Sequence, residues 1–176
     1  EDEGELYVGC AGGLDATAKF TYTEEAVPAG MTGYKLSITG LKVGHSGMDI
    51  ILGRGNANKS MVRVLLPLIK ELGARVASIE GGSLRNAIPR EAFAVLALPK
   101  SKEAAAMKIV EEHLAGMKFE LSAQDPDVNV TLVPCETPAK VIDAKTALNA
   151  VLAVYACPNG VERMSDAVPG LVETSN

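Results

Sequence analysis

The chain has no tryptophan, few other aromatics, only two histidines, and no apolar run approaching the ~18 to 20 residues that a membrane-spanning helix needs. Each shortage excludes a class of function. Without a long apolar run, no membrane partner is expected. The 17 Lys and Arg are outnumbered by 22 Asp and Glu and are scattered, which leaves a net charge of −5. With neither a basic stripe nor an aromatic stacking platform, nucleic acid is excluded as a partner. The three cysteines, Cys10, Cys135 and Cys157, are odd in number and far apart. That argues against a disulfide framework and a thiolate zinc cluster, and for reduced thiols in a cytoplasmic setting. His45 and His113 stand beside carboxylates in surface-like contexts, so no complete metal site is expected within the chain.

What is present is the composition of an ordinary globular protein, with 47% hydrophobic and 22% charged residues. A chain of 176 residues can bury roughly 70% of its unfolded surface in one core, so a single domain spanning 1–176 is expected. Alternation over 16–23 predicts a first half-buried strand, and Tyr34, Leu36 and Ile38 continue the same period toward Val43, suggesting a hairpin about Pro28-Ala-Gly30. Four glycines between Gly44 and Gly55 predict a loop whose backbone turns tightly. Asn56 or Asn58 can cap a helix bearing Met61, Leu65, Leu68 and Leu72 on one stripe, kinked at Pro67 and stopped by Gly73. Strands follow over 75–80 and 93–98, separated by a loop from Gly81 to Pro89. A helix capped by Ser101 is expected to stop at Gly116, followed by a strand over 127–134 and a final helix between Asp143 and Pro158. From residue 34 the order is strand, helix, strand, strand, helix, strand. This α+β order is that of a ferredoxin-like two-layer sandwich, an antiparallel sheet with helices on one face, here with an extra N-terminal strand and C-terminal helix.

Two places stand out chemically. His45, bracketed by Gly44 and Ser46-Gly47, sits where a side chain can project on an arm away from its own core. A plain histidine at a strand-end turn fits the spacing equally well. His113 is placed in the last turn of its helix, where the dipole favours an imidazolium, which is a structural explanation. The second place is Gly81-Gly82-Ser83-Leu84-Arg85-Asn86-Ala87-Ile88-Pro89. There Asn86 can donate to a carbonyl oxygen and Arg85 can grip a carboxylate, or both can be ordinary loop residues. In the Gly53-Arg-Gly-Asn-Ala-Asn58 run, Asn58 stands where a nucleotide-binding loop carries the glycine before its Lys-Ser/Thr ending.

Three motifs carry a family resemblance: Gly40-Leu-Lys-Val-Gly-His-Ser-Gly47, Gly53-Arg-Gly-Asn-Ala-Asn-Lys59 and Leu84-Arg-Asn-Ala-Ile-Pro-Arg-Glu91. They resemble the lid and dimerisation domain of aminoacyl-histidine dipeptidases, two-zinc metallopeptidases related to carnosinases. The likeness extends to Glu1–Cys10, which resembles the exit from the family's first catalytic segment, and to Pro158–Asn176, which resembles re-entry into the second. With no initiator Met at one end and no closing element at the other, the chain reads as a piece of a longer protein, with junctions at 1–12 and 158–176. The resemblance implies two zinc ions held by segments outside this chain, a homodimer formed through the lid, and a dipeptide as the parent's substrate. It also implies that His45 reaches the partner's active site to stabilise the tetrahedral oxyanion, with Asn86 and, more weakly, Arg85 as substrate contacts. Relatives carry another arginine after the following strand, where Pro99-Lys100 stands here. Alone, the chain is expected to hydrolyse nothing. A reading from another class is a free-standing ferredoxin-like module that binds a small ligand or dimerises.

Overall fold

A computed structural model describes residues 3–6, 9 and 11–176. Cys10, and with it much of the Glu1–Cys10 stretch, lies outside the described residues.

The centre is strand β2 (Met31–Thr39), whose inward residues Tyr34, Leu36 and Ile38 are almost wholly buried. The alternation seen in the sequence therefore marks a strand with one face to the core. After a two-residue strand β3 (Gly44–His45) and a 3-10 turn at Ile50–Leu52 comes helix α1 (Ala57–Leu72). Its N-terminus is capped by the Asn56 side chain, which accepts from the backbone N–H groups of Asn58 and Lys59 at 3.0 and 3.3 Å. Gly73, at φ 72°, closes it. The buried stripe of Met61, Leu65 and Leu68 lies against the sheet, each side chain contributing roughly 1.5 to 3 kcal/mol on burial. The helix runs unbroken through Pro67.

Strand β4 (Arg75–Gly81), the two-residue β5 (Ala87–Ile88), β6 (Ala92–Pro99), helix α2 (Glu103–Glu120) and β7 (Asn129–Pro134) complete the unit. The sheet order is β4-β6-β2-β7, with every neighbour antiparallel. Leu36 sits in register between Ala94 and Leu132, so one row of side chains runs across three strands into the core. This is the ferredoxin-like arrangement expected from the order of elements, with α1 and α2 on one face. Strand β8 (Lys140–Ile142), helix α3 (Ala144–Ala156) and a hairpin of β9 (Val161–Met164) and β10 (Val172–Ser175) follow. Asp143 caps α3 by accepting from Thr146 N–H at 2.9 Å. Among the described residues, no helix is long and apolar enough to cross a membrane.

Several local expectations are corrected. Residues 16–23 form no strand and are exposed, and the extra N-terminal strand is the shorter β1 (Glu24–Ala26). β1 pairs with β8 rather than forming a hairpin with β2, because both edges of β2 are already taken by β6 and β7. Ser101 is not a cap: it lies in a 3-10 turn at Lys100–Lys102, and α2 starts after it. Gly116 does not stop α2. The helix continues for another turn because doing so buries Met117 and brings Glu120 to Arg63 through two bonds of 2.7 Å. His113 is consequently not in the last turn, and the dipole argument for it falls. Its Nδ1 lies 2.8 Å from the Ile109 carbonyl oxygen, a contact within its own helix.

Candidate functional site

His45 ends β3, and its backbone is gripped before its side chain does anything. Its N–H donates to Asp49 Oδ2 at 2.8 Å, and Asp49 N–H returns a bond to the His45 carbonyl at 2.9 Å. Arg54 reaches back across the same loop, donating to the Val43 carbonyl at 2.5 Å and pairing with the Asp49 carboxylate at 3.3 Å. Gly44 makes that crossing possible. A Cβ there would stand 2.8 Å from Arg54 Nη1 and 3.1 Å from Asp49 Cβ. Gly53, at φ 65°, then turns the chain toward α1.

The imidazole itself is exposed, and its two nitrogens have different surroundings. The backbone N–H groups of Gly47 and Met48 both donate to Nδ1, at 3.0 and 3.2 Å. Nδ1 is therefore the acceptor, and the proton of the neutral ring belongs on Nε2. The loop thus presents an N–H donor on the far side of the ring, a group suited to hydrogen-bond an oxygen on which negative charge develops.

The ladder between β3 and β5 joins this loop to the second motif. His45 pairs with Ala87, Gly44 with Ile88, and Ser46 N–H donates to the Asn86 carbonyl at 2.9 Å. His45 and Asn86 are thereby brought together through three backbone contacts that no local pattern in the sequence announces. Arg85 holds a carboxylate, but that of Asp15 at 2.6 Å, with both side chains largely exposed. An open groove of about 560 Å³ lies beside the loop, bordered by Val43, Gly82, Leu84, Pro89 and Arg90, and not by His45 itself. Val43 and Leu84 at the groove, and Met48, Ile51 and Leu52 along the His45 loop, expose apolar side chains, Met48 at 80%.

Three residues that hold the arm escaped the sequence reading. Asp49 and Arg54 lie inside the glycine-rich stretch, where their separations from His45 and Val43 are the only signal. Asp125 gave none: in a Gln-Asp-Pro-Asp run it reads as solvated loop, yet it is wholly buried. Its Oδ1 accepts from Lys42 N–H at 2.6 Å and its Oδ2 from Gly55 N–H at 2.7 Å. Among the described residues, no group of three or more His, Cys, Asp or Glu side chains gathers as metal ligands would. The donors among the described residues do not fit the two zinc ions that the resemblance implies.

Known proteins share this fold. The family profile described as peptidase dimerisation domain matches residues 32–125, more than half of the chain. The cytosol non-specific dipeptidase of Escherichia coli (strain K12) is 43% identical over 175 residues, covering 99% of this chain and 36% of that protein. The crystal structure of aminoacylhistidine dipeptidase from Vibrio alginolyticus superimposes with a TM-score of 0.85 at 44% identity, covering 89% of this chain and 32% of that one. The chain thus spans about a third of the length of these relatives.

Proposed function

This chain belongs to the M20 peptidase dimerisation-domain family, and on that premise we propose that it is the lid and dimerisation domain of a zinc-dependent aminoacyl-histidine dipeptidase. In this reading the parent is a homodimer, and its catalytic segments join the lid at 1–12 and 158–176. The parent cleaves Xaa-His and related dipeptides in the cytoplasm. Supporting that reading are the similarity to two dipeptidases, one of them cytosolic by name, and the apolar side chains exposed about the His45 loop, which suit a surface that another copy covers. The zinc ions are assigned to the parent's other segments.

The observation that carries the proposal is the His45 imidazole, exposed at a loop tip with Nδ1 occupied by two backbone amides. When water adds to a peptide carbonyl, the oxygen gains charge and the carbon becomes tetrahedral. An Nε2–H already oriented toward that oxygen from across the dimer stabilises the charge without reorganising. Such a donor is worth roughly 10² to 10³ in kcat. Asn86, tied to the same ladder, donates to a substrate carbonyl, and Arg85 takes the dipeptide carboxylate once it releases Asp15.

The test is a full-length His45→Ala enzyme assayed on an Xaa-His dipeptide. We expect kcat to fall by roughly 10² to 10³, and a fall of less than about tenfold would remove the role. The 176-residue chain should cleave nothing, and hydrolysis by the purified chain would overturn the division of labour.

A further inference from the structure

We propose that Asp125 is a positioning residue for the His45 arm, its carboxylate stapling the two ends of the loop so that the imidazole is presented at a fixed place. The inference rests on the role proposed for His45 and adds to it a residue that never touches the ring. Asp125 is wholly buried, and a buried carboxylate is expensive unless donors replace its lost water. Both of its oxygens are met by backbone amides. Lys42 N–H, three residues past the end of β2, reaches Oδ1 at 2.6 Å, and Gly55 N–H, just before α1, reaches Oδ2 at 2.7 Å.

The staple is itself anchored. Asp125 N–H donates to the Leu121 carbonyl at 2.8 Å, and its own carbonyl accepts from Val128 N–H at 3.1 Å. The carboxylate is thereby fixed between the end of α2 and the start of β7. Gly55 is the matching adaptation on the arm. A Cβ there would lie 2.8 Å from both Leu121 Cδ1 and Leu41 Cδ2, so bare backbone is what lets this amide approach. Everything from Val43 to Arg54 hangs between these two bonds, including Asp49, Arg54 and the two amides that bind Nδ1. A catalytic donor displaced by about 1 Å loses on the order of 10² in rate, so the loop ends are where a remote residue exerts most leverage.

The experiment is a double-mutant cycle in the full-length enzyme. Asp125→Asn keeps the shape but turns one acceptor into a donor, breaking one staple. We expect kcat to fall about 10- to 100-fold with KM changed less than about twofold, and no further fall when the same change is made on His45→Ala. An unchanged kcat, or an equal fall on the His45→Ala background, overturns the proposal, the latter because Asp125 then acts on the fold at large. If His45→Ala alone keeps full activity, the histidine's assigned role fails instead, and hydrogen exchange judges the staple. In the wild-type enzyme, Lys42 and Gly55 amides should exchange far more slowly than the amide of exposed Lys19. Exchange at the same fast rate would show that the bonds are not made, whether or not Asp125→Asn folds.

Discussion

Lys59 offers a quantitative test of how the glycine-rich motif docks α1 onto α3. Its ammonium donates to the carbonyls of Val154, Tyr155 and Cys157 at 2.9, 2.6 and 2.6 Å, and stands 5.9 Å from the Tyr155 ring centre. These carbonyls belong to the end of α3, where the last turn has no partners of its own. Three charge-assisted bonds at about 1.5 to 3 kcal/mol each would suggest a loss of roughly 4.5 to 9 kcal/mol on removing the charge. That figure is too large, because Val154, Tyr155 and Cys157 are exposed and water can replace the lysine. The appropriate scale is a cation at a helix C-terminus in a partly buried geometry, up to about 2 kcal/mol. Lys59→Met keeps most of the stem and removes the charge. We expect a loss of about 1 to 2 kcal/mol in urea unfolding, a fall of roughly 2 to 8 °C in Tm, and faster amide exchange in the last turn of α3. A change within about 0.5 kcal/mol, as for an ordinary surface substitution, with α3 exchange unaltered, would refute the reasoning.

Acid should loosen the same region. Backbone N–H groups of Thr146 and Thr23 hold the Asp143 carboxyl below its ordinary 3.8, and the hydrogen bond from Arg63 holds Glu120 below its ordinary 4.5. Because both are depressed on folding, their stabilisation is full above those ordinary values and is lost as pH falls through the lower folded ones. Tm should therefore drop below about pH 4.5, and Asp143→Asn should flatten part of that slope; a Tm independent of pH there would contradict the assignment. Gly40→Ala should cost more than about 3 kcal/mol in urea unfolding, since it combines left-handed backbone strain with a steric clash. The residue sits at φ 79°, and its new Cβ would fall 1.9 Å from the Asp127 carbonyl oxygen. A loss under about 1 kcal/mol would mean that β2 and β7 part more easily there than their packing implies.

What the sequence shows of the fold is what is periodic. Tyr34, Leu36 and Ile38 alternate because one sheet face is buried, and Met61, Leu65 and Leu68 recur at helical spacing because one helix face is. Asn56 and Gly73 mark the ends of α1 because capping is local chemistry. Residues 16–23 show where that logic stops. The segment has a strand's alternation, but a strand needs an edge, and β2's edges are filled from far along the chain. Gly116 misleads for a related reason: local propensity favours a stop, while Met117 and the Arg63–Glu120 pair, set by tertiary packing, extend α2.

The site divides in the same way, and the division bears on how the arm works. Its tip is legible, since glycines flanking a histidine announce a projecting side chain and the neighbouring motifs place it in a family. Its base is not, because Asp125 joins Lys42 and Gly55 over sequence separations of 83 and 70 residues. In the role proposed for His45, a projecting arm alone would be a poor catalyst: a donor free to wander pays in entropy at the moment of reaction for the freedom that lets it reach. The structure resolves this by tying the backbone at each level, with Asp125 at the base, Arg54 and Asp49 midway, and the amides of Gly47 and Met48 at the ring itself. The glycines supply the turns and close approaches that these ties require, so a stretch that reads in sequence as flexible is, in the folded chain, held at every few residues.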